Sequence, residues 1–191
     1  MTRRYIANKF LSPDVIEASI DEVHVLAERD DQKVALAGGI AMQIYGSDRL
    51  TADVDIIAES IIPGVPVESE LALIPGYAGR LPNGVQIDVI IPEAGSEWYE
   101  LFDHARERAF PLEPGDIPVV TREYLIALKM MASRGDKDIG DLYFLLTAPE
   151  TDLVRARIIV REELGKFAAK EFDALVEEAN WAVTQRRPRR R

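Results

Sequence analysis

The 191-residue sequence contains no cysteine and only two histidines. Without thiols there can be no disulfide, no thiolate nucleophile and no Cys-ligated zinc, a usage compatible with a reducing compartment. His24 and His104 lie far apart in sequence and read as structural residues, and neither Ser47 nor Ser133 has a recognisable His–Asp partnership. Aromatic residues amount to 7%, and Trp98-Tyr99 and Trp181 read as packing residues rather than as base-stacking platforms. No apolar run approaches the roughly 20 residues of a membrane span, and Met1-Thr2-Arg3-Arg4 leads into no signal-like segment. The expectation is a soluble, cytoplasmic chain with no membrane partner.

Positive charge is scarce as well. Against 33 acids stand 23 Lys plus Arg, a net charge of −10, and five of those arginines fall within residues 186–191. Residues 1–185 therefore carry 18 bases against 33 acids, a net of −15. Such a body repels phosphate backbones on average, so any anionic substrate must be held by a few well-placed groups. What the chain does have is apolar material: 47% hydrophobic residues suffice to close a core without staples.

Periodicity and punctuation lay out the elements. Ser12 as a hydroxyl N-cap, Pro13 at the first helical position, and Val15, Ile16, Ile20, Val23 and Leu26 at three- and four-residue spacing predict an amphipathic helix ending near Asp30-Asp31. The apolar run 34–37 is stopped by Gly38-Gly39 and resumes with helical character over 40–45, which reads as strand, tight turn, short helix. Residues 54–57 form the next strand. Pro63, Pro66, Pro75, Pro82, Gly64, Gly76 and Gly79 make 60–83 an irregular stretch with at most a short strand at 71–74. Asn83-Gly84 is a hairpin-turn signal leading into 85–91, the strongest strand signal in the chain. A helix over 96–105 and an extended pair over 109–120 follow, then helices over 121–133, 136–147, 152–164 and 167–184. The plan is α+β: a mixed-sheet core flanked by helices over residues 1–118, a helical C-terminal part over 119–185 packed on that core, and an Arg-rich, disordered tail over 186–191.

Three carboxylates stand out by position. Asp53 and Asp55 are two apart, which on a strand places both side chains on one face, where like charges repel unless a divalent cation bridges them. Asp88 interrupts the apolar run 85–91 on what should be a buried strand, an expensive place for an unpaired carboxylate. Two carboxylates on one strand and a third on its neighbour are what a two-metal phosphoryl-transfer site needs, since Mg²⁺ (or Mn²⁺) prefers oxygen ligands and leaves positions open for phosphates. The plainer alternatives are a solvated strand end for the Asp-x-Asp and an edge-strand charge for Asp88. Gly38-Gly39, between a strand and a helix, can present backbone N–H groups to a phosphate, or can be an ordinary tight turn. In the helical half, Lys129 sits in a nine-residue run that is otherwise apolar; it either snorkels to solvent or meets an anion. Asp138 and Asp141 are one helical turn apart near a helix N-terminus, where acids are favoured in any case.

The segment from Leu36 to Gly46, with 13 residues between Gly39 and Asp53-Val54-Asp55, resembles the nucleotidyltransferase fold family. That family's signature is a hydrophobic residue, Gly, Gly or Ser, a short helix, then Asp-x-Asp, with a third carboxylate on a later strand. Arg49-x-Thr51-x-Asp53-x-Asp55, followed by Lys129, Arg134 and Lys137-Asp138-x-x-Asp141-Leu142, is most similar to the AbiEii-like branch of type IV toxin–antitoxin systems. The resemblance implies a nucleotidyltransferase in which Asp53, Asp55 and Asp88 are catalytic metal ligands. Gly38, Gly39, Arg49, Thr51, Lys129 and Arg134 would lie at the nucleoside triphosphate, and Asp138 and Asp141 at the rear wall of its site. It implies a tRNA or protein acceptor and a possible cognate antitoxin. Ile40 departs from the pattern, since a small hydroxyl residue often follows the two glycines. Its presence is the best argument for the rival reading, a nucleotide-binding or protein-interaction module without turnover. A two-metal nuclease would use the same three carboxylates but has no need of Gly38-Gly39 or Lys129.

Overall fold

The computed structural model describes residues 10–96, 98–132 and 135–186, apart from the side chains of 136, 137 and 186. By internal contacts the chain divides into two compact units, one comprising residues 1–99 and 106–120, the other 100–105 and 121–191.

The first unit opens with α1 (Pro13–Arg29), which buries Ser19, Val23, Leu26 and Ala27 along one face. Pro13 begins the helix as expected, but Ser12, though extended at the N-cap, makes no side-chain capping bond. After it come β1 (Val34–Leu36), α2 (Gly38–Ile44), β2 (Val54–Ala58), β3 (Val67–Glu70), β4 (Gly76–Arg80) and β5 (Gln86–Ile90). The strands form one mixed sheet in the order β1-β2-β5-β4-β3. β2 and β5 are parallel, and the other three pairings are antiparallel. β5, the strongest strand signal, is thus the central strand. Leu36, Ile40, Met42, Ile56, Ile57, Ile87 and Val89 close the core around it. The extended pair expected over 109–120 is present as a bridge between Phe110 and Val119, and Val119 also bridges Leu36.

The stretch 60–83 differs from the sequence reading. It holds two strands, β3 and β4, and the strand expected at 71–74 is instead the connection between them. Two of the glycines taken there as breakers, Gly76 and Gly79, are strand residues at points of close backbone approach. A Cβ on Gly76 would overlap the Val89 carbonyl oxygen, and one on Gly79 would come within 2.5 Å of the Pro66 carbonyl oxygen. Tyr77, between them, is buried and accepts a hydrogen bond from the Ile62 N–H at 3.1 Å, tying the preceding loop to the sheet.

In the second unit, α4 (Arg122–Ala132), α5 (Asp136–Thr147), α6 (Leu153–Glu163) and α7 (Gly165–Arg186) form the helical half, after α3 (Tyr99–Glu107). Leu125, Ile126, Leu145, Val160, Phe172 and Ala179 are buried in it. Asp152 caps α6 by accepting from the Arg155 N–H. Arg157 on α6 grips Asp173 on α7 through two hydrogen bonds of 2.7 and 2.8 Å. His104 contacts Glu163 at 2.8 Å, consistent with a structural role. Trp181 is not a packing residue: it is 64% exposed on α7. The tail beyond Arg186, together with Ser133 and Arg134, lies outside the described residues. Among the described residues no helix is long and apolar enough to cross a membrane.

Candidate active site

β2 and β5 run parallel with Asp55 paired to Asp88, so their side chains stand side by side on one face of the sheet. On the far side of Asp88 the paired residue is Ala78 of β4. On the far side of Asp55 is Ala37, whose N–H donates to the Asp55 carbonyl at 2.9 Å. Two carboxylates therefore occupy the middle of a row flanked by alanines. Their strand neighbours Val54, Ile56, Ile87 and Val89 point to the other face and are buried, while Asp55 and Asp88 are half-buried. The two acids that break the apolar patterns of their strands are thus brought together by register. Gln86, two residues before Asp88, donates from Nε2 to Asp88 Oδ1 at 3.2 Å.

The Gly38-Gly39 turn is built around Asp55. Gly38 has φ +53°, in the left-handed region, and a Cβ there would overlap the Asp55 carboxylate and lie 2.7 Å from Asp55 Cβ. The Gly39 N–H donates to Asp55 Oδ2 at 3.1 Å. The backbone donor expected to face a phosphate is therefore turned to the carboxylate instead. Ile40, the departure from the family pattern, is wholly buried, so its side chain belongs to the core and does not face the turn's outer side.

Asp53 lies just before β2 and is half-buried. Thr51, 2% exposed, reaches it from behind: Thr51 Oγ1 is 3.0 Å from Asp53 Oδ1 and 3.2 Å from the Asp53 carbonyl oxygen. Thr51 is thereby a partner of Asp53 and not a surface group. Arg49 is positioned by Gln43, whose Nε2 donates to the Arg49 carbonyl at 2.6 Å, and its Nη2 stands 3.5 Å from where a Gly39 Cβ would be.

Oxygen donors of this kind suit a hard divalent cation such as Mg²⁺ or Mn²⁺, with the Asp55–Asp88 pair as its platform and substrate oxygens completing the shell. The expected trio does not, however, stand as three converging ligands. Among the described residues no group of three His, Cys, Asp or Glu is arranged to hold a metal; Asp53 Oδ1 is engaged by Thr51, and Asp55 Oδ2 by the Gly39 N–H.

In the helical unit, Lys129 meets anions rather than solvent. Its Nζ lies 2.6 Å from Asp141 Oδ2 and 3.3 Å from Asp138 Oδ1, with all three side chains 5–10% exposed. The cation expected at the triphosphate is thus enclosed by the two acids expected behind it, tying α4 to α5. The apolar run around Lys129 was the available signal for burial, and Asp138 and Asp141 on one helical face were the signal for its partners. Arg134 lies outside the described residues.

No protein-family model matches this chain, and no curated protein matches it. Among solved structures it is similar to an antigenic nucleotidyltransferase-like protein from Paracoccidioides brasiliensis, with a TM-score of 0.52 and 16% identity over 88% of this chain and 94% of that one. It is also similar to the antibiotic-resistance factor ANT(2'')-Ia, with a TM-score of 0.45 and 15% identity over 88% of this chain and 96% of that one. A third similar structure is a CCA-adding enzyme with CTP, with a TM-score of 0.33 and 14% identity over 87% of this chain and 51% of that one. The first likeness, above 0.5, establishes an α+β fold similar to the nucleotidyltransferase fold.

Proposed function

We propose that the chain transfers a nucleoside monophosphate from a nucleoside triphosphate to a hydroxyl acceptor on a tRNA or a protein. The observation that carries this reading is the in-register pair Asp55 and Asp88, held in an alanine-flanked row with Gly38 pressed against one carboxylate. Asp55 and Asp88 would hold Mg²⁺ or Mn²⁺, with substrate oxygens completing the shell. When bound, the cation supplies charge neutralisation at the phosphates and at the departing pyrophosphate. The acceptor oxygen forms a bond to the α-phosphorus, the bond from that phosphorus to the bridging oxygen breaks, and pyrophosphate leaves with the electron pair. Asp88 would take the acceptor's proton, and Asp55, fixed by the Gly39 N–H, would face the phosphates along the same face. Arg49, whose Nη2 stands beside the turn, would meet a phosphate. Lys129 is assigned to the helical unit's interior and not to the triphosphate.

The motif order Arg49-x-Thr51-x-Asp53-x-Asp55, then Lys129, then Asp138-x-x-Asp141, supports membership of the AbiEii-like toxin branch, with an antitoxin as partner. One observation favours binding without turnover: Asp53 and Asp55 are both already hydrogen-bonded within the protein. Incubation with each labelled nucleoside triphosphate, Mg²⁺ or Mn²⁺, and total tRNA or lysate separates the readings. Labelled product lost in Asp55→Asn and Asp88→Asn supports transfer, whereas bound triphosphate without product supports the module and shortened RNA supports a nuclease. Growth arrest on expression, relieved by Asp55→Asn, tests the toxin assignment.

A further inference from the structure

The last helix, α7, packs on α5 and α6, with Ala169, Phe172 and Ala179 buried. Its opposite face carries Phe167 and Trp181, 87% and 64% exposed, and Ala174, also exposed, stands midway between them. Seven residues make two helical turns, so positions 167, 174 and 181 fall on one line, each ring about 10 Å along the helix from Ala174. Rings so exposed contribute little to the fold of their own chain. Charge along the α6–α7 hairpin is polarised as well. Residues 153–170 hold Arg155, Arg157, Arg161, Lys166 and Lys170 against Glu162 and Glu163, a net of +3, in a body that is otherwise strongly acidic. Residues 171–185, up to the Arg-rich tail, hold Glu171, Asp173, Glu177 and Glu178 and no base, a net of −4. A face with an aromatic ring and positive charge at one end, and an aromatic ring and negative charge at the other, is complementary to itself turned end for end.

We infer that this face of α7 is an interaction surface for a second copy of the chain, packed antiparallel about a two-fold axis at Ala174, with Phe167 of each copy against Trp181 of the other. The small side chain at the axis lets the two helices approach closely. A two-fold axis lying in the plane of contact keeps each flank of the helix on its own side. The flank nearer α6 is marked by Asp173, which is held by Arg157, and there Lys170 meets the partner's Glu177. The flank nearer α5 is marked by Glu178, which is hydrogen-bonded to Tyr143, and there Glu171 meets the partner's Glu178 as a like charge. Four rings bring roughly 600 Å² to the contact, which suits a reversible dimer rather than a permanent one.

The test is sedimentation equilibrium of the full chain over a range of concentrations. The mass is expected to rise from 21.4 kDa towards twice that value, with half-association at about 10–100 µM for a contact of this size. Phe167→Ala and Trp181→Ala should each weaken association by about 30-fold or more, while thermal unfolding followed by circular dichroism stays near wild type because both rings are exposed. Charge reversal tests the antiparallel arrangement itself. Lys170→Glu and Glu177→Lys should each weaken self-association by about tenfold, since every change acts twice in a two-fold contact. An equimolar mixture of these two variants should associate like wild type, because opposite charges face each other again at both contacts. Glu171→Lys, which turns a repulsive contact into an attractive one, should tighten the dimer. A wild type that stays at one chain up to about 500 µM overturns the inference; if labelled oligouridine then binds and Trp181→Ala releases it, the face belongs to RNA instead. A dimer that survives Trp181→Ala unchanged, or whose Lys170→Glu and Glu177→Lys variants remain apart when mixed, overturns it equally.

Discussion

Replacing Gly38 with alanine puts a methyl group where the Asp55 carboxylate stands. The new Cβ would overlap Oδ2 and Cγ of Asp55 and lie 2.7 Å from its Cβ, and the residue would have to hold φ +53°. Holding a non-glycine residue in the left-handed region costs roughly 1–2 kcal/mol. Asp55 cannot retreat without giving up the 3.1 Å bond from the Gly39 N–H, a hydrogen bond to a charged acceptor worth about 1.5–3 kcal/mol. The expected loss is therefore about 2.5–5 kcal/mol. Gly46→Ala is the control: its φ is +94°, and nothing lies within 4 Å of the added Cβ, so it carries the backbone cost alone. Urea unfolding of the two variants beside the wild type measures the difference, which isolates the Asp55 contact. In an Asp55→Ala background the Gly38→Ala penalty should shrink, because the carboxylate it strikes is gone. Equal losses for Gly38→Ala and Gly46→Ala, or a Gly38→Ala loss below about 1 kcal/mol, would refute the account of the turn as a cradle for Asp55.

Lys129→Met leaves Asp138 and Asp141 buried without the cation between them, and removing one member of a buried ion-pair cluster costs about 3–5 kcal/mol by denaturant unfolding; a loss under about 1 kcal/mol would contradict the burial. Tyr77→Phe deprives the buried Ile62 N–H of its acceptor, with an expected cost of about 1–3 kcal/mol, and the burial that imposes this cost also pushes the Tyr77 phenol above its ordinary range. The Arg157 guanidinium, hydrogen-bonded to Asp173, holds that carboxyl below the usual carboxylate range. Its contribution is accordingly complete above the ordinary carboxylate pKa, about 3.9, and is lost as pH falls through the lower folded value. Asp173→Asn should flatten this acid-side part of the stability profile, and a profile identical to wild type between about pH 2 and 5 argues against the clasp.

The elements whose period and punctuation agree were legible in advance: α1 from Pro13 and its apolar stripe, β5 from its apolar run, and the helical texture after residue 121. The hairpin of β3 and β4 was not, because Gly76 and Gly79 signal a turn in sequence. What they do in the fold is admit the carbonyls of Val89 and Pro66, and those partners lie outside any local window. The acids at 53, 55 and 88 were legible as oddities of pattern, and Lys129 as a cation in need of an anion. Their partners were legible only as candidates.

Residue types and spacing alone determined that this chain has no thiol chemistry to draw on, that its folded body is strongly acidic, and that three carboxylates interrupt or border strands. Strand register was decided by the tertiary structure. Pairing β2 and β5 in parallel with Asp55 opposite Asp88 is a long-range choice made by the packing of Val54, Ile56, Ile87 and Val89, since a slip of one residue would send these side chains to the other face. Tertiary structure also assigned the two glycines to different partners, Gly38 to Asp55 and Gly39 to the Thr51 hydroxyl. Sequence spacing says that a turn is tight; only the surrounding atoms say what it is tight against.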